Sequence, residues 1–150
     1  MEIRDAGEAL YLACEMEKRA IRLYERALMV FSDGPCQESI SAILSDERNH
    51  LALFSAMGAE APGFERGQML AAQAADVLFS GGLVEAQRKG AFASPEALFT
   101  YAAQEEAGAV ERYSQFAAQL KGSAGEAFAA ISLEEKQHYA KLSYLAALEK

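Results

Sequence analysis

The stretch ILSDERNHLALFS (Ile43–Ser55) decides how this chain is read. With Ile40 before it and Met57 after it, its apolar residues recur at steps of three and four, the spacing that gathers side chains on one face of an α-helix. Glu47 and His50 fall on that same face, where a core would otherwise hold leucine. The stretch returns as ISLEEKQHYAKLS (Ile131–Ser143). Both copies carry Glu-x-x-His, with a basic residue after the glutamate, an amide before the histidine, and His-x-Ala-x-x-Ser following. The chain has two histidines, His50 and His138, and both sit in this motif.

A second repeat lies upstream of the first. EKRAIRLY (Glu17–Tyr24) and EAGAVERY (Glu106–Tyr113) are both Glu-x-x-Ala-x-x-x-Tyr. Glu17 precedes Glu47 by 30 residues, and Glu106 precedes Glu135 by 29. The chain therefore reads as two copies of one helical hairpin, each with Glu on its first helix and Glu-x-x-His on its second.

Working outward, the periodicity predicts an all-α domain over residues 1–150 with helices at about 5–31, 35–57, 95–121 and 124–149. The first carries Leu10, Ala13, Glu17, Ala20, Ile21, Tyr24, Leu28 and Phe31 on one face and stops at Ser32-Asp33-Gly34-Pro35. Pro35 is placed to open the second helix, and Gly58 to stop it. Ser94-Pro95-Glu96 gives the third an N-cap followed by proline at the first helical position. Ser123-Ala124-Gly125-Glu126 has capping-box spacing for the fourth. The intervening 58–94 reads as a crossover: a loop (GAEAPGFERG), a short amphipathic helix (QMLAAQAADVLF), a break at Gly81-Gly82, and LVEAQRKG. Such a long connection frees a four-helix bundle from simple up-down order.

Composition narrows the partners. A formal charge of −8 argues against nucleic acid and anionic membranes, which call for basic surfaces. No apolar run approaches the roughly 18 residues of a membrane span, and no secretory leader is evident, so a soluble, cytoplasmic protein is expected. Cys14 and Cys36 form no metal-finger spacing, and a disulfide framework is not expected. Cys14, one turn before Glu17, reads as a small core residue.

The duplicated motif has a physical meaning. Residues three apart share a helical face, so Glu47 projects with His50 and Glu135 with His138. Each acidic position lies 11 or 12 residues from its helix start, roughly 17 Å at 1.5 Å per residue, so all can meet at mid-bundle. Four buried carboxylates are prohibitive without compensation, and two divalent cations balance them. One Glu from each of two helices, with Glu-x-x-His from each of the other two, is the general ligand pattern of di-iron and di-manganese carboxylate proteins. The expected ligands are Glu17, Glu47, His50, Glu106, Glu135 and His138, and an oxygen-nitrogen shell of this kind suits iron or manganese. His-Glu-x-x-His zinc protease chemistry is excluded, because neither motif has that second histidine. Tyr24 and Tyr113 read either as hydrogen-bond donors to ligand carboxylates or as core tyrosines. Glu15, Glu105 and Glu134 lie off their stripes and read as solvated, and Arg22, Glu25 and Arg26 as an exposed helix face.

These paired motifs resemble those of the rubrerythrin and ferritin-like di-iron superfamily, over nearly the whole chain outside the crossover. The resemblance implies a ferritin-like four-helix bundle, a di-iron centre bridged by Glu47 and Glu135, and oxidoreductase chemistry with peroxide or dioxygen. Members act as peroxide reductases, ferroxidases or iron stores, and a homo-oligomer, such as a dimer, is implied. Three positions depart from the family pattern. No rubredoxin-like segment with paired CxxC is present, so a separate electron donor, such as a rubredoxin-like protein, is expected. Ala109 stands where rubrerythrins carry an extra carboxylate. Arg48 stands where bacterioferritin places its haem-binding methionine, so no haem is expected. The other readings are a ferroxidase, iron-binding or storage protein without peroxidase turnover, and a structural or regulatory bundle whose metal only staples the fold.

Overall fold

The structure is a computed structural model that describes residues 3–34, 36–67, 69 and 82–149. The described residues form helices and connecting turns, without strands. Helix α1 spans Ala6–Val30, α2 Cys36–Ala59, α3 Gly82–Arg88, α4 Pro95–Gln119 and α5 Gly122–Leu148. Pro35 and Gly81 lie outside the described residues, and so, Met69 apart, does the expected amphipathic helix QMLAAQAADVLF. Among the described residues, no helix is long and apolar enough to cross a membrane.

Local chemistry sets most of the helix ends. Asp5 caps α1 by accepting a 3.0 Å hydrogen bond from the Glu8 N–H, while the Glu8 carboxylate accepts one of 2.9 Å from the Arg4 N–H. Arg66, reaching over from the segment after α2, pairs with both Asp5 and Glu8. Ser94 caps α4 through the Ala97 N–H at 3.1 Å, with Pro95 in the first turn where its missing N–H costs nothing.

Two ends differ from the sequence reading. Gly58 does not stop α2: the helix runs through it to Ala59, and a Cβ there would collide with the Phe64 ring. The glycine is needed for that close approach rather than for a left-handed cap. Nor does a capping box open α5. The helix begins at Gly122, its N-cap Lys121 makes no side-chain bond, and Gly122 itself takes φ +77, a conformation that glycine adopts without strain. The chain turns from α4 into α5 on that glycine, so Ser123 already lies inside the helix.

α1 packs mainly on α2, and α4 mainly on α5, giving two hairpins in a helical bundle. Two apolar clusters form the core. One holds Tyr24, Ile40, Ile43, Leu98, Phe99, Ala102 and Leu142. The other holds Leu10, Ala13, Phe54, Tyr113, Phe116, Phe128 and Ile131, with the Phe54 and Phe128 rings 5.1 Å apart. Both motif glutamates of each hairpin fall in sequence between the two clusters, so the buried polar residues form a layer across the bundle rather than one of its ends.

A candidate di-metal centre

Glu17 comes from α1, Glu47 and His50 from α2, Glu106 from α4, and Glu135 and His138 from α5. The structure brings all six side chains together. The four glutamates are 1–2 % exposed and the histidines 3 % and 6 %. Burial this complete is rare for carboxylates unless something pairs with them.

The donors form two overlapping groups, each with ligand atoms within 4.8 Å of one another: Glu17, Glu47, His50 and Glu135, and Glu47, Glu106, Glu135 and His138. Glu47 and Glu135 belong to both. His50 turns Nδ1 inward, 3.3 Å from the Oε1 atoms of Glu47 and Glu135 and 3.4 Å from Glu17 Oε1. His138 does the same, with Nδ1 at 3.2 Å from Glu135, 3.4 Å from Glu47 and 3.6 Å from Glu106. The rings lie nearly parallel, their centroids 6.1 Å apart.

Fit to a metal is tested by the donors left over. Glu17 Oε2, Glu47 Oε1, Glu106 Oε2, Glu135 Oε1 and the Nδ1 atoms of both histidines are buried without a hydrogen-bond partner. Buried polar atoms are ordinarily satisfied, and orphans gathered at one point mark a site built for something other than the chain's own hydrogen bonds. These oxygen and imidazole donors could hold a metal ion in each group.

Electrostatics say the same. Burial, then repulsion from Glu135, pushes the Glu106 carboxyl up to about 7. Glu17 is raised by burial and by Glu47, and Glu135 likewise. Burial alone would lower both histidines, yet the adjacent carboxylates of Glu135, Glu17 and Glu47 hold His50 above its ordinary value, and those of Glu106, Glu135 and Glu47 do so for His138. The cluster thus retains protons that a cation would displace.

Each tyrosine reaches across to the other hairpin. Tyr24 Oη donates to Glu106 Oε1 at 2.6 Å, and Tyr113 Oη to Glu17 Oε1 at 2.9 Å. Burial and the adjacent glutamates keep both phenols protonated, so they remain donors.

The outward side of the histidines holds residues that the sequence reading missed or misplaced. His138 Nε2 lies 2.9 Å from Asp46 Oδ2, and His50 Nε2 lies 3.4 Å from Glu134 Oε1. Asp46 was given no role by the sequence. Glu134, expected in solvent, is indeed half-exposed, yet its carboxylate faces the opposite hairpin's histidine. The available signal was an acidic residue immediately before the motif glutamate in both copies, SDERNH and LEEKQH. Asp46 is placed to orient the His138 ring, with Nε2 turned outward to the carboxylate and Nδ1 inward, whereas His50 Nε2 is buried without a hydrogen-bond partner and Glu134 only stands near it.

On the opposite side, a cavity of about 380 Å³ between α1 and α4 opens onto all four glutamates and both tyrosines. Met16, Ala20, Leu23 and Ala109 line its apolar part. Glu105 is exposed, as expected, and stands on this cavity's wall with Tyr101 and Arg112. Glu15 pairs with Lys18 on the surface at 3.3 Å, and Glu25 with Arg48 at 2.9 Å. Cys14 is buried, its thiol 3.6 Å from Ser55 Oγ and pushed up by burial, as befits a core residue.

Comparison with protein families, with curated proteins and with solved structures finds no match to this chain. What the site does is therefore argued from its own geometry.

Proposed function

We propose that this protein is a di-iron oxidoreductase of the rubrerythrin-like, ferritin-like kind, reducing peroxide or dioxygen at a carboxylate-rich centre. Manganese is the alternative metal. The observation that carries the reading is the pair of overlapping buried donor groups sharing Glu47 and Glu135. Glu17 and His50 would complete one metal position, and Glu106 and His138 the other. A pair of iron ions supplies two one-electron steps side by side, which matches a two-electron oxidant.

The chain's own residues do the rest. Asp46 holds the His138 imidazole with Nδ1 inward, and Glu134 faces the outward nitrogen of His50 at 3.4 Å. Tyr24 and Tyr113 pin one oxygen of Glu106 and one of Glu17, leaving the second oxygen of each for a ligand bond. The aromatic layer of Phe54, Phe116 and Phe128 excludes water from one side. The cavity admits a small oxidant from the carboxylate side, and the small side chain of Ala109 keeps its wall open.

The test is iron loading under anaerobic conditions, then peroxide titration. Two iron ions should bind per chain, and one peroxide should oxidise each ferrous pair, with turnover only when an external reductant is added. Loading without oxidation by peroxide or dioxygen would assign the metal a structural role. Oxidation that merely accumulates ferric iron beyond the pair would make the protein an iron store.

A further inference from the structure

Helix α5 is apolar on two opposite sides. Phe128, Ile131 and Leu142 face the core alongside Glu135 and His138. On the far side Leu133 is 61 % and Tyr144 58 % exposed, and Ala130, Gln137, Ala140 and Ala147 are exposed with them. Residues 130, 133, 137, 140, 144 and 147 alternate steps of three and four, the a/d seam of a coiled coil. The duplicated hairpin supplies an internal control. Aligning Glu47 with Glu135 puts Ala42, Ser45, Asn49, Ala52, Ala56 and Ala59 of α2 at the same places. Both helices keep the metal motif, but α2 has Ser45 and Ala56 where α5 has Leu133 and Tyr144. Neither the bundle nor the motif requires those two large outward residues.

We propose that this seam pairs with the same seam of a second copy of the chain, antiparallel about a twofold axis. Antiparallel helices set a residues against d residues. With Gln137 opposite the partner's Ala140, Leu133 meets the partner's Tyr144 and Ala130 meets the partner's Ala147, and the twofold repeats each contact. The flanking positions select this orientation. Glu134 then faces the partner's Lys141, an attractive pair made twice. In a parallel seam Lys136 would face the partner's Lys141, a repulsion made twice. All three charged residues are exposed. Glu134 also stands 3.4 Å from His50 Nε2, so the pair would join the seam to the flank of the centre.

Sedimentation velocity on the full chain, across a low- to high-micromolar series, tests this. A monomer–dimer equilibrium is expected. Leu133→Glu with Tyr144→Glu should weaken association tenfold or more, with unchanged helical circular dichroism. Lys141→Glu should weaken it less, and adding Glu134→Lys should restore it by exchanging the charges. Ala130→Cys with Ala147→Cys should give a disulfide-linked dimer under oxidation, and Ala130→Cys alone should not. A monomer at every concentration, a dimer indifferent to the Leu133 and Tyr144 substitutions, or crosslinking by Ala130→Cys alone would each overturn the proposal.

Discussion

Tyr24 Oη lies 2.6 Å from Glu106 Oε1 and ties the first helix of one hairpin to the first helix of the other. Tyr113 returns the bond to Glu17 at 2.9 Å. Each tyrosine follows its own hairpin's glutamate by seven residues, two turns along the same face, and so reaches past it to the glutamate of the other copy. The exchange makes the site a joint between hairpins: neither half can present its first-helix carboxylate correctly without the other.

Removing one hydroxyl therefore acts on the joint. Tyr24→Phe leaves a buried Glu106 oxygen without its donor, which costs about 1–3 kcal/mol. The melting temperature of the metal-free protein should fall by several degrees, since about 1 kcal/mol corresponds to roughly 2–4 °C at this chain length. Tyr113→Phe should behave alike, softened because Tyr113 shares its hydroxyl with the Ala13 carbonyl at 3.5 Å. Thermal melts of both variants decide it, and an unchanged Tm in Tyr24→Phe would show that the bond contributes nothing.

Asp46 and Glu134 offer a second, graded test. Asp46 is within firm hydrogen-bond distance of His138, whereas Glu134 stands off from His50 by 3.4 Å. If His138 ligates a metal as proposed, Asp46→Asn should lower affinity at that position about 10- to 100-fold, the usual effect of losing a carboxylate behind a ligating histidine. Glu134→Gln should have the smaller effect. Competition titration with a chelator measures both, and equal or reversed effects would contradict the assigned geometry.

That these six side chains would converge was legible in the sequence because a helix translates spacing directly into direction, and the motif occurs twice. Glu17 and Glu106 could be placed for the same reason, each on an apolar stripe that had no other cause to carry a charge. The tyrosines' partners were not legible, since which glutamate each reaches depends on how the hairpins pack. Asp46 and Glu134 escaped because they sit about 100° off the buried stripe, one residue before it, and act from the flank of the neighbouring helix. Gly58 misled because a glycine near a helix end reads as a stop, while here it accommodates the Phe64 ring, a contact made by a residue beyond the helix.

Register on α4 separates two adjacent acids. Glu106 is buried in the donor cluster, and Glu105 is exposed at the cavity wall. Glu106→Ala should reduce loading from two metal ions per chain to one, because only one of the two donor groups contains it. Glu105→Ala should load normally. Elemental analysis after desalting gives the answer, and the opposite pattern would show the register of the helix to be misassigned.

The last prediction concerns pH in the metal-free protein. Glu106, pushed up to about 7 by burial and Glu135, keeps its proton between its ordinary value of 4.5 and about 7, where the unfolded chain has released it. The folded state therefore binds more protons across that window, and stability falls as pH rises through it, by on the order of 3 kcal/mol for this group alone. His50 and His138, held above 6.5 by the surrounding glutamates, extend the fall in the same direction, because the unfolded chain loses those protons first. Melting temperature in the presence of a chelator should thus drop from about pH 5 to about pH 8. Under the proposed function, metal binding should reverse the trend, since a cation would take the deprotonated donors, and the gap between loaded and metal-free Tm should widen over the same range. Glu106→Gln should flatten the metal-free slope between about pH 5 and 7 by removing the titrating group. A metal-free Tm that climbs with pH would mean that the carboxylates are stabilised as anions by something other than a cation, and the charge argument for the centre would fail.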